Sequence, residues 1–174
     1  MTEAAAAPTS NETTQTVFSL QRVYLKDCSL ELPNAPGIFL DANEPKLEFE
    51  IETAESELGN NLVEVVVRCT VTCRFADKVG FLIEASQAGI FEIRGVTDEQ
   101  RLLLKGISCP NIVYPYLRAN MADVVQRSSF PPVHLAEINW EAFFQQRMAQ
   151  LAAQQASEGA QQAEAGSSGI VLPQ

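Results

Sequence analysis

A chain of 174 residues with 46% hydrophobic and 7% aromatic content has the size of one domain and enough apolar material for a modest core. Its formal charge of -10, from 22 acidic and 12 basic residues, disfavours nucleic acid and anionic membrane surfaces, so an electrostatically steered partner is expected to be basic. Met1, Thr2 and Glu3 with four alanines carry no basic run ahead of an apolar stretch, and no segment nears the ~20 apolar residues of a spanning helix. A cytoplasmic protein without direct membrane insertion is therefore expected.

Residues 1–16 are Ala, Thr, Asn, Gln and Glu with almost nothing apolar, which predicts a disordered tail. From Val17 to Leu32 the even positions Phe18, Leu20, Tyr24, Cys28, Leu30 and Leu32 are apolar, with Ser19, Gln21, Asp27, Ser29 and Glu31 on the other parity. That alternation predicts a long, half-buried strand. Pro33, Asn34, Ala35, Pro36 and Gly37 end it, and the loop that follows carries Ile38, Phe39 and Leu40, large apolar groups that need a pocket.

Lys46 to Glu52 alternates cleanly, with Leu47, Phe49 and Ile51 on one face and Lys46, Glu48, Glu50 and Glu52 on the other. A second strand with an acidic outer face results. After a turn at residues 58–61, Val63, Val65, Val67, Cys69, Val71, Cys73 and Phe75 point one way, against Glu64, Arg68, Thr70, Thr72 and Arg74. Ala76, Asp77 and Lys78 close a hairpin into a fourth strand with Val79, Phe81, Ile83 and Ala85 inward and Leu82, Glu84 and Ser86 outward, and Gly89 is expected to interrupt it.

Beyond Gly95 the period changes to three and four, through Ile112, Val113, Tyr116, Leu117, Met121, Val124 and Val125. Ser108 and Pro110 suit the start of this helix, while Pro115 demands either a kink or a later start. Phe130, Pro131 and Pro132 break the chain, and Asn139 is expected to cap a second helix bearing Trp140, Phe143, Phe144, Met148 and Leu151. Residues 156–174 are rich in Gly, Ala, Gln and Ser and are read as a second tail, leaving 17–155 as the domain. The fold class is α+β: a four-stranded antiparallel sheet with two C-terminal helices packed on one face.

Catalytic chemistry finds no support. Cys28, Cys69, Cys73 and Cys109 form no CxxC pair and have one histidine, His134, for company. Cys69 and Cys73 on one strand lie about 13 Å apart at ~3.3 Å per residue, beyond a disulfide's reach, so buried free thiols in a reducing compartment are expected. His134 stands in a proline-flanked loop without a nucleophile or zinc pattern, and Gly89, Gly95 and Gly106 fit no phosphate-binding fingerprint. Glu48, Glu50 and Glu52, spaced by two, read as a solvated strand face. No enzyme, cofactor or metal is expected. The remaining feature is apolar: the Ile38-Phe39-Leu40 loop and the aromatic last helix. Either they are ordinary core, or they serve oligomer contacts or a groove for an extended apolar peptide.

Lys26, Asp27, Ser29, Glu31, Pro33, Asn34, Ala35 and Pro36 spell K-D-x-S-x-E-x-P-N-A-P after Gln21, Arg22, Val23 and Tyr24. Gly89, Ile90 and Phe91 follow, then Cys109, Pro110, Asn111, Tyr114, Pro115, Tyr116 and Arg118, then Phe130, Pro131, Pro132, Leu135, Asn139 and Trp140. In this order they resemble the signatures of the SecB family of export chaperones, from about Val17 to Leu151. The resemblance implies a homotetramer, a dimer of dimers, whose surface grooves hold unfolded precursor proteins without ATP and deliver them to the motor SecA. It implies a precursor groove with Phe39, Leu47, Phe49, Trp140, Phe143 and Phe144. It also implies a site for the basic, zinc-bearing tail of SecA at Asp27, Glu31, Leu82 and Glu84. Relatives often have a tryptophan shortly after the position of Phe39, where this chain has Ala42 and Asn43.

Overall fold

The computed structural model describes residues 15–166, with side chains as far as residue 154. Strands β1 (Val17–Glu31), β2 (Pro45–Gly59), β3 (Leu62–Phe75) and β4 (Lys78–Arg94) form one antiparallel sheet in the order β1-β4-β3-β2. Two-residue turns close both hairpins: Asn60 and Asn61 at φ 52 and 62° between Gly59 and Leu62, and Ala76 (φ 49°) with Asp77 between Phe75 and Lys78. Positive φ at both central residues of the first turn is the geometry whose twist matches paired strands, and asparagine tolerates it. Because β1 and β2 are the two sheet edges, the segment between them crosses the end of the sheet. A short 3-10 turn, Gly37–Leu40, lies in it, and Asn34 Nδ2 donates to the Val79 carbonyl at 2.9 Å, tying the crossing to β4.

Helix α1 (Asp98–Leu103) runs through a π-helical turn, Leu104–Ser108, into α2 (Cys109–Arg127), and α3 (Trp140–Gly166) follows a non-helical connection. Every odd residue of β3 from Val63 to Cys73 is buried, together with Phe81, Ile83, Ala85, Phe91 and Ile93 of β4. They pack under Cys109, Val113, Tyr114, Leu117, Met121 and Val125 of α2. Period two from the sheet meets period 3.6 from the helix, and the central strands take the cover. The expected α+β architecture is the one observed.

Several local expectations are corrected. Tyr24 lies on the open face of the sheet, not inward, because β1 shifts register twice against β4, between Leu20 and Arg22 and between Leu25 and Asp27. Each extra residue flips the alternation, so Val23 and Leu25 take the helix-side parity in the middle, and Cys28 and Leu30 regain it afterwards. Gly89 does not interrupt β4, which runs on to Arg94. A Cβ there would stand 2.7 Å from Phe91 Cε2 and 2.8 Å from Val113 Cγ2, so this glycine is where α2 approaches the sheet closely. Strand β2 extends to Gly59, well past Glu52.

Helical structure begins earlier than Ser108, at an N-terminal capping box: Gln100 N donates to Thr97 Oγ1 at 3.2 Å and Thr97 N to Gln100 Oε1 at 3.0 Å. Pro115 lies inside α2, not before its start, on an exposed side where water can serve the carbonyl it leaves free. Asn139 caps α3 as expected, accepting from Ala142 N at 3.0 Å. Helix α3 reaches Gly166, and alanine, glutamine and glutamate between 152 and 164 are good helix formers; the disordered tail expected over 156–174 lies outside the described residues beyond 166. The tail expected over 1–16 falls outside the described residues up to 14. At its end, Thr16 Oγ1 donates to the Gly95 carbonyl at 2.9 Å.

Candidate functional site

The helices cover the middle of the sheet and leave the helix-side row of β2 uncovered. Leu47, Phe49 and Ile51 stand opposite the buried Cys73, Val71 and Cys69 of β3, yet Leu47 is 42% and Phe49 52% exposed. At one end of this row, beside the Pro45–Phe75 pair, an aromatic cluster closes the floor. The Phe130 ring lies 5.3 Å from Phe39, 6.0 Å from Phe75 and 5.2 Å from Phe81. Phe39 remains 47% exposed and its neighbour Leu40 89%, while Ile38 is buried and anchors the turn. At the other end, Phe143 lies with Ile51 and Thr53, and an opening of about 270 Å³ between β2 and α3 is lined by Thr53, Phe143, Phe144, Met148 and Leu151.

Of the six side chains expected in a groove, five therefore lie along or at the ends of one apolar trough. Trp140 does not. It is 4% exposed, set edge-on between Tyr114 at 5.5 Å and Phe143 at 5.4 Å, because the first turn of α3 is pinned under α2. Phe130 was not expected in the trough; its signal was a lone aromatic before Pro131 and Pro132, which reads equally as a chain break. Ala42 and Asn43 are exposed and Asn43 N donates to Asp41 Oδ1 at 3.0 Å, a local turn with no aromatic wall.

Phe144 reaches this region because of Gly106 in the π-helical turn. A Cβ on Gly106 would fall 2.3 Å from Phe144 Cδ2, so α3 docks on bare backbone. Lys105 and Arg101 of the same stretch clamp the far end of β2: Arg101 reaches Glu57 at 2.6 Å, and Lys105 reaches Glu55 at 3.1 Å and Glu57 at 3.3 Å. The Arg101 hydrogen bond holds the Glu57 carboxyl below its ordinary range, with Lys105 adding to it.

The opposite, open face of the sheet is acidic. Glu31 stands across from Leu82, Ser29 from Glu84 and Asp27 from Ser86, so Asp27, Glu31, Leu82 and Glu84 share one side of two adjacent strands within a few rungs of about 5 Å. Glu84 accepts from the Arg68 guanidinium and from Thr70 Oγ1 at 3.5 Å, and this carboxylate raises the Arg68 pKa further, with Glu52 and Asp27 contributing at longer range. Among the described residues, Asp27, Glu31, Glu50 and Glu52 have no cation within ion-pair distance.

Glu64 is the exception on this face, 8% exposed. Its carboxylate accepts from Tyr24 Oη, from Lys26 Nζ at 2.7 Å and from Ser56 Oγ at 3.2 Å. Lys26 foremost, then Tyr24, holds the Glu64 pKa below the ordinary carboxylate value against the opposing effect of burial. Burial pushes the Cys69 and Cys109 thiols up to about 12, while Cys28 is half-buried. His134 is exposed, and no cluster of metal-ligating side chains exists among the described residues.

The family model described as Preprotein translocase subunit SecB matches residues 11–151. Proteins named Protein-export protein SecB are similar to this chain: one from Janthinobacterium sp. (strain Marseille) at 52% identity over 94% of each chain, and one from Cupriavidus necator at 54% over 91% of this chain and 90% of the relative. Another, from Burkholderia multivorans, is 56% identical over 82% of this chain and 89% of the relative. Among solved structures, the SecB-like chaperone of Mycobacterium tuberculosis in complex with a ChAD peptide from the HigA1 antitoxin aligns with a TM-score of 0.58 at 18% identity, over 70% of this chain and 90% of that one, a likeness of fold. On the family match and the near-full-length relatives, this chain belongs to the SecB family.

Proposed function

We propose that this protein is an ATP-independent cytoplasmic chaperone that binds unfolded precursor proteins, keeps them translocation-competent and delivers them to the SecA motor of the Sec export pathway. Members of its family are chaperones, not enzymes, and the reading calls for no cofactor. The observation that carries it is the uncovered row of Leu47 and Phe49, continued by Phe39 and Phe143. Half-exposed apolar groups in line along a sheet edge suit an extended chain, whose alternate side chains fall at the same ~6.6 Å repeat. Phe39, Leu47, Phe49, Phe143 and Phe144 are the proposed contacts, with Trp140 behind them.

The domain of residues 17–155 is proposed to act as a homotetramer, a dimer of dimers. Phe18, Leu20 and Leu25 near the β1 edge and Leu102 and Leu103 on α1 are exposed in the single chain, which supports self-association there. Four copies multiply weak contacts through effective concentration, so an unfolded chain with many short apolar segments is retained without any one being recognised tightly. The open face, with Asp27, Glu31, Leu82 and Glu84, is the proposed dock for the basic tail of SecA. Dedication to one client, such as an antitoxin, is disfavoured by relatives above 50% identity that carry the export name.

The test mixes purified protein with a slowly folding, unfolded precursor without ATP and follows refolding and aggregation, beside a SecA pull-down. Wild type should retain the precursor and capture SecA, and Asp27→Ala combined with Glu84→Lys should lose SecA alone. Wild type doing neither would leave an acidic oligomeric scaffold as the better description.

A further inference from the structure

The register shift between Leu25 and Asp27 brings two consecutive residues, Lys26 and Asp27, to the same face of the sheet, since Lys26 bonds Glu64 there and Asp27 stands opposite Ser86. In a regular strand neighbours point to opposite faces and do not meet. Here an ammonium sits on the residue adjoining a carboxylate of the acidic dock, and the simplest ion pair would join them. It does not form: Lys26 Nζ lies 2.7 Å from Glu64 Oε2, and among the described residues Asp27 has no cation within ion-pair distance. Glu64 itself is held by Tyr24 of β1 and Ser56 of β2, so its carboxylate is anchored from both sheet edges and is too enclosed to meet a docking partner.

We propose that Glu64 is a positioning residue for the acidic dock: it captures the Lys26 ammonium and so keeps the Asp27 carboxylate unpaired for a basic partner. The inference rests on the reading of Asp27, Glu31, Leu82 and Glu84 as the SecA site. Its physical content is competition. A buried, hydrogen-bonded carboxylate outcompetes a solvated one for the same cation because its partners are fixed and water is excluded. Remove the Glu64 charge and Lys26 is free to swing onto Asp27, cancelling one of the charges that the basic partner reads. The neighbouring cation, Arg68, is already committed to Glu84, so the face holds both its central cations in place.

The experiment measures SecA affinity of the full-length protein at low ionic strength for wild type, Glu64→Gln, Glu64→Asp, and Glu64→Gln combined with Lys26→Gln. Glu64→Gln should weaken binding about two- to fivefold, the scale of one exposed ion pair, while Glu64→Asp stays near wild type. Adding Lys26→Gln should restore the affinity, whereas adding Lys46→Gln, which removes the same charge at the start of β2, six residues before the Glu52 rung, should not. Equal rescue by both lysine substitutions would reduce the effect to net charge and overturn the inference, as would no rescue by Lys26→Gln. In the wild-type background, independent of how Glu64 variants fold, Lys26→Gln and Lys46→Gln should shift affinity by the same small factor; a much larger gain from Lys26→Gln would mean Lys26 already screens Asp27, contradicting the proposal. Asp27→Ala separates the two readings: if it binds SecA as wild type does, the dock itself is misassigned.

Discussion

Phe49→Thr probes the trough where its energetics are simplest, because threonine keeps the strand preference of β2. The ring is 52% exposed, which leaves roughly 100 Å² of an aromatic surface of about 200 Å² in water. Covering all of it with client at ~25 cal/mol per Å² gives about 2.5 kcal/mol as an upper limit. Incomplete cover and the ordering of a flexible client reduce this to about 1.4 kcal/mol, or tenfold in Kd. The half of the ring already buried also stabilises the fold, so the variant should lose roughly 1 kcal/mol in urea unfolding, and binding must be measured well below its midpoint. Titration calorimetry with a reduced, unfolded precursor reads the affinity, with Leu58→Thr as control, since Leu58 is similarly exposed at 49% but lies outside the row. A folded Phe49→Thr protein that binds within twofold of wild type, or a Leu58→Thr protein that weakens equally, would refute the assignment of this row as the client surface.

Gly89→Ala should cost about 1–3 kcal/mol by overpacking, because its methyl would press on Phe91 and Val113 of a closed sheet-helix contact; an unchanged urea midpoint would show that α2 does not pack this closely. Glu64 should make stability acid-sensitive. Its folded-state pKa is depressed, so its contribution is present above the unfolded-state value and is lost as pH falls through the folded one. Glu64→Gln should accordingly lose less stability than wild type between pH 7 and pH 3, and parallel losses would contradict this. Iodoacetamide at pH 8 should modify native protein first at the half-buried Cys28, reaching Cys69 and Cys109 only in urea, since burial holds these two thiols up to about 12; labelling of all three at one rate would place them in solvent.

The central strands were legible because β3 pairs on both sides and is covered on one face, so alternation has a single meaning. Strand β1 was legible only at its ends. Its two register shifts cancel, so Phe18 and Leu30 keep one parity while Tyr24 between them changes face; the charged Arg22 and Lys26 beside the apolar Val23 and Leu25 carry the signal of that change. Gly89 misled for a related reason: a glycine in a strand signals either an end or a close approach, and its meaning lies in Val113, far along the chain. The capping box Thr97-Gln100 was present in the sequence but lay outside the apolar period that begins at Ile112.

The candidate site divides similarly. Its charged half follows from strand parity, which puts Asp27, Glu31, Leu82 and Glu84 together without knowledge of the third dimension beyond pairing. Its apolar half depends on what α2 and α3 leave uncovered. Leu47, Phe49 and Trp140 look alike as apolar residues, but an edge strand leaves the first two half open and the helix crossing closes the third. That distinction between core and surface belongs to packing, and so does the recruitment of Phe130 to the end of the trough.

Hydrogen exchange of the complex with an unfolded precursor tests the account most directly. Client amides should exchange nearly as fast as in the free unfolded chain, while slowed exchange in the chaperone should concentrate around Phe39 and along Pro45 to Thr53 of β2. A client that acquires native-like protection while bound, or protection confined to the open acidic face, would contradict the holding of unfolded chains in the apolar trough.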